Sequence, residues 1–146
     1  MKRLIVALSA LILTSGVFAQ TAKVVKPDNY IKFDELKHDF GKIKQSVPVT
    51  YDFIFSNVGD KPIVIETAIA SCGCTTPKWP QAPVAKGKDE KITAGFNAQA
   101  LGPFTKTITV KIAGVDAPLT LTITGEVLKA EDYAKYEKEK ETKKGK

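Results

Sequence analysis

The chain has 146 residues, and its 22 lysines and arginines against 16 aspartates and glutamates give a net charge of +6. Arg3 is the single arginine. Because arginine is the usual residue for bidentate contacts with bases and phosphates, this composition argues against nucleic-acid binding. Two cysteines are too few for a domain that depends on a framework of disulfides.

The first nineteen residues have the layout of a secretory signal peptide. Met1-Lys2-Arg3 is basic, residues 4–13 are mostly apolar, and Val17-Phe18-Ala19 fits a cleavage site. The apolar stretch is shorter than the roughly 20 residues that span a bilayer. We therefore expect a periplasmic or secreted protein that begins at Gln20, has a net charge of +4 without Lys2 and Arg3, and has no membrane span after cleavage.

The chain from Tyr30 to Leu128 has the pattern of a β-domain, preceded by a polar leader at 20–29. Apolar residues alternate with polar ones in several short runs bounded by Gly, Asn, Asp and Pro, which is typical of half-buried strands. About seven such strands predict an antiparallel, immunoglobulin-like β-sandwich. The alternation predicts these inward rows: Val49, Tyr51, Phe53 and Phe55; Ile63, Ile65, Thr67 and Ile69; Ile92, Ala94 and Phe96; Ile108, Val110 and Ile112; Leu119, Leu121 and Ile123.

Residues 129–146 form a charged tail with no large aliphatic side chain. Glu131, Lys135 and Glu139 have the spacing of helical ion pairs, and Tyr133 and Tyr136 would share one side of such a helix. We expect either a frayed, solvated helix or a disordered tail.

Cys72 and Cys74 are the residues most suited to chemistry, because the rest of the chain predicts an ordinary β-domain. A bridge between them closes a loop of only three residues, which stabilises the fold by less than about 2 kcal/mol on the chain-entropy model. In an extended strand their Cα atoms would lie about 6.5–7 Å apart, at the upper limit for a disulfide. A bridge therefore needs a turn, and we expect Gly73 to permit it.

His38 is the single histidine and offers a third donor beside the two cysteines. A closed structural zinc site needs four ligands, whereas Cu(I) accepts two or three soft ones, so copper is the better match. A histidine base must be oriented by another group, and Asp39 is a poor candidate because adjacent strand residues point to opposite faces. The sequence therefore predicts no catalytic residue, no assigned metal ligand and no cofactor.

Trp79 is the single tryptophan and follows the cysteines in a proline-rich stretch that predicts a loop. We expect it to cover an open end of the sandwich, and the alternative is an exposed contact beside the cysteines. Cys72, Cys74, Trp79 and His38 are thus the candidate binding residues.

Five segments together resemble the domain-of-unknown-function family 1573: Phe33, His38–Ile43, Phe53–Gly59, Ser71-Cys72-Gly73-Cys74-Thr75 and Gly102–Lys106. The resemblance extends from about Tyr30 to Val127. It implies an exported bacterial envelope protein with an immunoglobulin-like sandwich, similar to domains that bind other proteins. It assigns no role to the cysteines.

The sequence thus favours a non-enzymatic binding or scaffold module of the bacterial envelope, with an unidentified protein partner. The alternative is copper binding or thiol redox chemistry at the Cys-Gly-Cys loop.

Overall fold

The computed structural model describes residues 26–144, so the predicted signal peptide 1–19 and most of the predicted leader lie outside the described residues. A 3₁₀ turn at Pro27–Asn29 comes first. Eight strands and one helix follow in this order: β1 (Ile31–Phe33), β2 (Lys37–Lys44), β3 (Val49–Asn57), β4 (Ile65–Ala70), β5 (Thr75–Lys78), β6 (Asp89–Phe96), β7 (Gly102–Ile112), β8 (Leu119–Leu128) and α1 (Ala130–Lys144).

The strands form two four-stranded sheets in the orders β1-β3-β6-β5 and β2-β8-β7-β4. The predicted all-β sandwich is therefore confirmed, with eight strands where the sequence suggested about seven. The antiparallel prediction needs one correction, because β2 runs parallel to β8. β2 follows β1 after only residues 34–36, so the chain bends into the facing sheet at the edge, and β2 lies beside the last strand of the domain.

The core lies between the two sheets and consists of the predicted inward rows of β3, β6, β7 and β8. Phe53 and Phe55 are completely buried, whereas the intervening Ile54 faces solvent. Phe96 and Phe104 stack with ring centroids 4.1 Å apart and fill one end of this layer. Close packing of such rings and branched chains supplies most of the stability of a sandwich.

The predicted inward face of β4 is wrong in its second half. Ile63 and Ile65 are buried as expected, but Ala68 is buried at 3% exposure and Ile69 is 63% exposed. The pairing of β4 with β7 shifts register between Ile65 and Thr67. One extra residue reverses the alternation beyond it, and no period-two pattern in the sequence reveals such a bulge.

The proline-rich stretch after the cysteines was expected to be a loop, but Thr75–Lys78 forms the edge strand β5 and pairs with β6. Proline lacks a backbone N–H, so it is tolerated in a sheet only where that N–H would face away from the neighbouring strand. Pro77 at the sheet edge meets this condition, which explains why a strand forms against the sequence signal.

The charged tail is an α-helix at Ala130–Lys144. Lys42 of β2 places its ammonium 5.0 Å from the centre of the Tyr136 ring, and Tyr133 and Tyr136 are neighbours as predicted. This cation–π contact connects the first half of the helix to β2. Among residues 26–144, no helix is long and apolar enough to span a bilayer.

The bulge in β4 predicts a large loss of stability for one isoleucine of the strand and almost none for another. Ile65→Ala removes a side chain that is 3% exposed and should lower the free energy of unfolding by about 2–5 kcal/mol. Ile69→Ala removes an exposed side chain and should change it by less than about 1 kcal/mol. Urea unfolding of the two variants measures the difference. Equal losses would contradict the register shift.

Candidate functional site

Cys72 and Cys74 form a disulfide in the segment 71–74, where the chain crosses from β4 of one sheet to β5 of the other. Their Cα atoms are 5.3 Å apart, well inside the range that a disulfide accepts. The predicted turn is present, but it does not depend on glycine. The backbone φ angle of Gly73 is not in the positive range that favours glycine, and a Cβ atom added to this residue would meet nothing within 4 Å.

Hydrogen bonds tie the disulfide loop to the sheet beside it. The backbone N–H of Thr75 donates to the Cys72 carbonyl at 3.3 Å, and the N–H of Asn97 donates to the Cys74 carbonyl at 3.1 Å. Cys72 Sγ lies 3.7 Å from the Thr75 hydroxyl, and Thr75 is buried. The loop is therefore anchored at both cysteines, while Gly73 at its tip is exposed.

Two clefts flank the disulfide loop and share Cys74, Phe96 and Asn97. The first has a volume of about 190 Å³, and its remaining lining includes Leu101, Pro103, Phe104 and Lys106. The second has a volume of about 200 Å³ and includes Pro48, Val49, Thr50, Gly73 and Thr76. We call them the Leu101 cleft and the Thr76 cleft. Cys74 therefore stands between two neighbouring clefts, with Phe96 and Asn97 beside it.

Sequence reasoning missed the residues of the Leu101 cleft. Phe96 and Phe104 carry the signal of core positions, and the alternation gives no reason to expect a cavity beside them. The one indication of the cleft in the sequence is a large apolar residue, Leu101, directly before the turn signal Gly102-Pro103. In the structure Leu101 is 45% exposed.

His38 lies far from the cysteines, so it does not supply the third donor that the sequence left possible. It is on β2, at one edge of its sheet, whereas the disulfide loop follows β4 at the other edge. Three strand spacings amount to about 14 Å, too far for one metal ion to join these residues. Among residues 26–144, no three His, Cys, Asp or Glu side chains form a group that could hold a metal ion.

The surroundings of His38 come from the facing sheet and from the segment before β2. Its ring stacks on Tyr51 with centroids 3.5 Å apart, and its Nδ1 lies 3.4 Å from a Glu35 carboxylate oxygen. Glu35, not Asp39, is thus the acid that orients this histidine. A hydrogen bond between Tyr51 and Glu35 raises the pKa of the tyrosine. This cluster joins the two sheets at one edge of the sandwich.

Trp79 follows β5 and packs against the core with its ring half-buried. Its Nε1 is inaccessible and has no hydrogen-bond partner among the described residues. The ring therefore covers part of the core, as expected of the first alternative, and it lines neither the Leu101 cleft nor the Thr76 cleft.

The comparison with protein families matches residues 31–127 to DUF1573, a family described as proteins of unknown function. The chain therefore belongs to the DUF1573 family, as its Ser-Cys-Gly-Cys-Thr segment led us to expect. No curated protein matches the chain by sequence.

Solved structures share the fold at low sequence identity. A protein of unknown function from Porphyromonas gingivalis W83 has a TM-score of 0.58 and 13% identity, with 75% of this chain and 51% of that chain covered. The PapD-like domain 7 of human CEP192 has a TM-score of 0.56 and 8% identity, with 84% and 99% covered. The secreted serine protease VesC from Vibrio cholerae has a TM-score of 0.56 and 11% identity over 70% of this chain. The chain spans 24% of that protease.

The small loop closed by the disulfide predicts that the domain folds without it. Cys72→Ser with Cys74→Ser should lower the free energy of unfolding by less than about 2 kcal/mol, because a three-residue loop restricts the unfolded chain very little. Thermal and urea unfolding monitored by circular dichroism measure the loss. A double variant that is unfolded at room temperature would show that the bridge is a structural requirement.

Proposed function

We propose that this member of the DUF1573 family is an exported, non-enzymatic binding or scaffold module of the bacterial envelope. One observation carries the proposal: an exposed loop, closed by a disulfide and anchored at both ends, lies between two clefts. A rigid loop loses little conformational freedom on binding, which favours affinity. Concave surfaces with a few placed polar groups are the usual form of binding sites.

Export is supported by the cysteine chemistry as well as by the signal sequence. Disulfides persist in oxidising compartments, such as the periplasm and the medium, and are rare where thiols are kept reduced. The domain holds its two cysteines close enough to bridge, at 5.3 Å between Cα atoms. The predicted signal peptide and the bridged pair both support export into an oxidising compartment.

The surroundings of the two cysteines and of His38 support a role that does not require a chemical reaction. The two cysteines are bonded to each other, so neither is available as a thiolate nucleophile. His38 is stacked on Tyr51 and contacts Glu35, and the Tyr51 hydroxyl is itself hydrogen-bonded to Glu35. A binding role uses the surface of the disulfide loop and needs neither group to react.

Site-specific crosslinking in living cells tests the binding proposal at the tip of the loop. A photo-reactive phenylalanine analogue at position 73 fits without a clash, because the space around the Gly73 Cβ position is open. We expect it to capture a distinct envelope protein. The matched control is the same analogue at Val58, which is 49% exposed and lines neither cleft.

The mass of the recovered chain tests export in the same experiment, since a protein that begins at Gln20 has lost its signal peptide. Equal crosslinking from positions 58 and 73, or none from either, would contradict the binding surface. Retention of residues 1–19 in the protein recovered from the envelope would contradict the export.

The second candidate function is thiol redox chemistry at the same loop, favoured by a half-buried disulfide on either side of the exposed Gly73. In such a reaction a dithiol donor gives two electrons and two protons to the Cys72–Cys74 bond, which opens to two thiols, while the donor becomes a disulfide. Copper binding would require this reduction first, because the thiolate is the metal ligand. Free-thiol titration before and after incubation with glutathione, followed by copper analysis, separates the two candidates. A pair that stays oxidised favours the binding module.

A further inference from the structure

The strand β7 is paired on both sides along only part of its length. On one side β8 accompanies it from Gly102 to Val110. On the other side the pairing with β4 ends at Ala70 and Ile108, and Ser71 adds two hydrogen bonds: its N–H donates to the Thr107 carbonyl at 2.9 Å, and its hydroxyl accepts the Thr107 N–H at 3.1 Å. At Cys72 the chain leaves for the other sheet. Residues 102–106 of β7 therefore have no neighbouring strand on the β4 side among the described residues.

The alternation of an antiparallel ladder decides which backbone groups this open stretch presents. Because the Thr107 carbonyl faces β4, the backbone groups of Thr105 and Pro103 face the same side. Thr105 offers a free N–H and a free carbonyl, and Pro103 offers a carbonyl only. Thr105 is exposed, and no hydrogen bond from another described residue reaches its backbone on this side. The pattern of one donor between acceptors is that of a sheet edge that can accept a short strand.

The Leu101 cleft lies beside this open edge, on the face of β7 that points into the sandwich. Its floor is the stacked pair Phe96 and Phe104, and Cys74 of the disulfide loop forms one wall. Its volume of about 190 Å³ exceeds the roughly 150 Å³ of an apolar cavity that holds benzene. A strand on the open edge would alternate its side chains, so one of them would point into this cleft.

The opposite wall of the cleft is held in one conformation by its own hydrogen bonds. Ala98 is completely buried in a left-handed conformation with φ of 53°, and its carbonyl accepts the Ser46 N–H at 2.9 Å. The Gln99 carbonyl accepts the Gln45 side-chain amide at 3.0 Å. Both walls of the cleft are therefore anchored by hydrogen bonds, and one of them also contains a cysteine of the disulfide.

Charge at the rim points to the chemistry of the occupant. Lys106 lines the cleft and is not part of any of the salt bridges among the described residues. The cleft lining contains no acidic side chain. A segment with an acidic residue close to its apolar anchor would satisfy this lysine.

We infer that the open edge of β7 and the Leu101 cleft together bind an extended segment of a partner protein. The segment takes the place that β4 leaves vacant, exchanges hydrogen bonds with Thr105, inserts one large apolar side chain above Phe96 and Phe104, and places an acidic residue near Lys106. This inference rests on the proposed binding function and gives it a partner class: a chain segment in β-conformation with a single apolar anchor.

The test uses a phage-displayed library of random ten-residue peptides, panned on the purified, oxidised chain. The strongest peptide is then synthesised, and its Kd is measured by fluorescence anisotropy. We expect selected sequences to share an aromatic or branched aliphatic residue with an acid close by. Binding should shift the Thr105 amide resonance. Leu101→Asp should weaken binding at least about tenfold, and Lys106→Glu at least about threefold.

Three further variants provide a control, a test of the Thr105 N–H and a substitute for the aspartate variant. Val58→Asp is the matched control, with a similar exposure at a site outside the cleft, and it should leave the Kd within about twofold. Thr105→Pro deletes the free N–H and should weaken binding about two- to tenfold. Leu101→Ala covers the case in which the aspartate variant does not fold, and it should still weaken binding measurably.

Four results would overturn the inference. In the first, panning on the chain enriches no peptide more than panning on the Leu101→Asp variant does. In the second, a bound peptide leaves the Thr105 amide resonance unshifted. In the third, the chain is a dimer that Leu101→Asp dissociates, and in the fourth, deletion of residues 20–25 raises the peptide affinity tenfold. The third result would assign the cleft to a second copy, and the fourth to the chain's own leader. Crosslinking from position 73 without any peptide at the cleft would leave the binding module intact and remove this inference alone.

Discussion

The crossing of the chain from one sheet to the other between Ala70 and Thr75 is the constraint on which the rest of the site depends. Facing sheets lie about 10 Å apart, and the four residues 71–74 reach at most about 14 Å when extended, so the crossing must be direct. β4 therefore ends early, and β7 continues beyond it without a partner. The same crossing starts β5 beside β6, which places Cys74 against Phe96 and Asn97.

The disulfide has a local role in this arrangement. A three-residue loop removes little entropy from the unfolded chain, whereas the aliphatic and aromatic layer between the sheets supplies the bulk of the stability. The bridge instead restricts the crossing segment in the folded protein, because it ties together two residues that are also anchored through the Cys72 and Cys74 carbonyls. In the proposed binding surface the bridge restricts one wall of the clefts, and its opening costs the fold little stability.

Most of the sandwich could be predicted from the sequence because period-two alternation reports burial directly. Phe53, Ile92, Val110 and Leu121 are all buried where the pattern places them. The failures have separate physical causes. The bulge after Ile65 reversed the exposure of Ile69, and pairing with β6 made a strand of Thr75–Lys78 against the signal of Pro77.

The candidate site divides in the same way. The cysteines could be selected from the sequence by their spacing. The prediction that a bridge between them requires a turn agrees with the turn in the structure. The topology that places two strands, β8 and β7, between His38 and the β4 end near the cysteines is a long-range property, and so is the early end of β4 beside the Leu101 cleft. No local pattern carries such information, since it depends on which strands become neighbours.

Hydrogen exchange of two threonine amides in the free protein tests the central claim most directly. Thr105 and Thr109 lie on the same strand and direct their N–H groups to the same side, but only Thr109 faces a residue of β4, namely Ile69. We predict rapid exchange at Thr105, close to that of an unprotected amide, and slow exchange at Thr109. Equal protection of both amides would show that the edge of β7 is already occupied, and it would contradict the account.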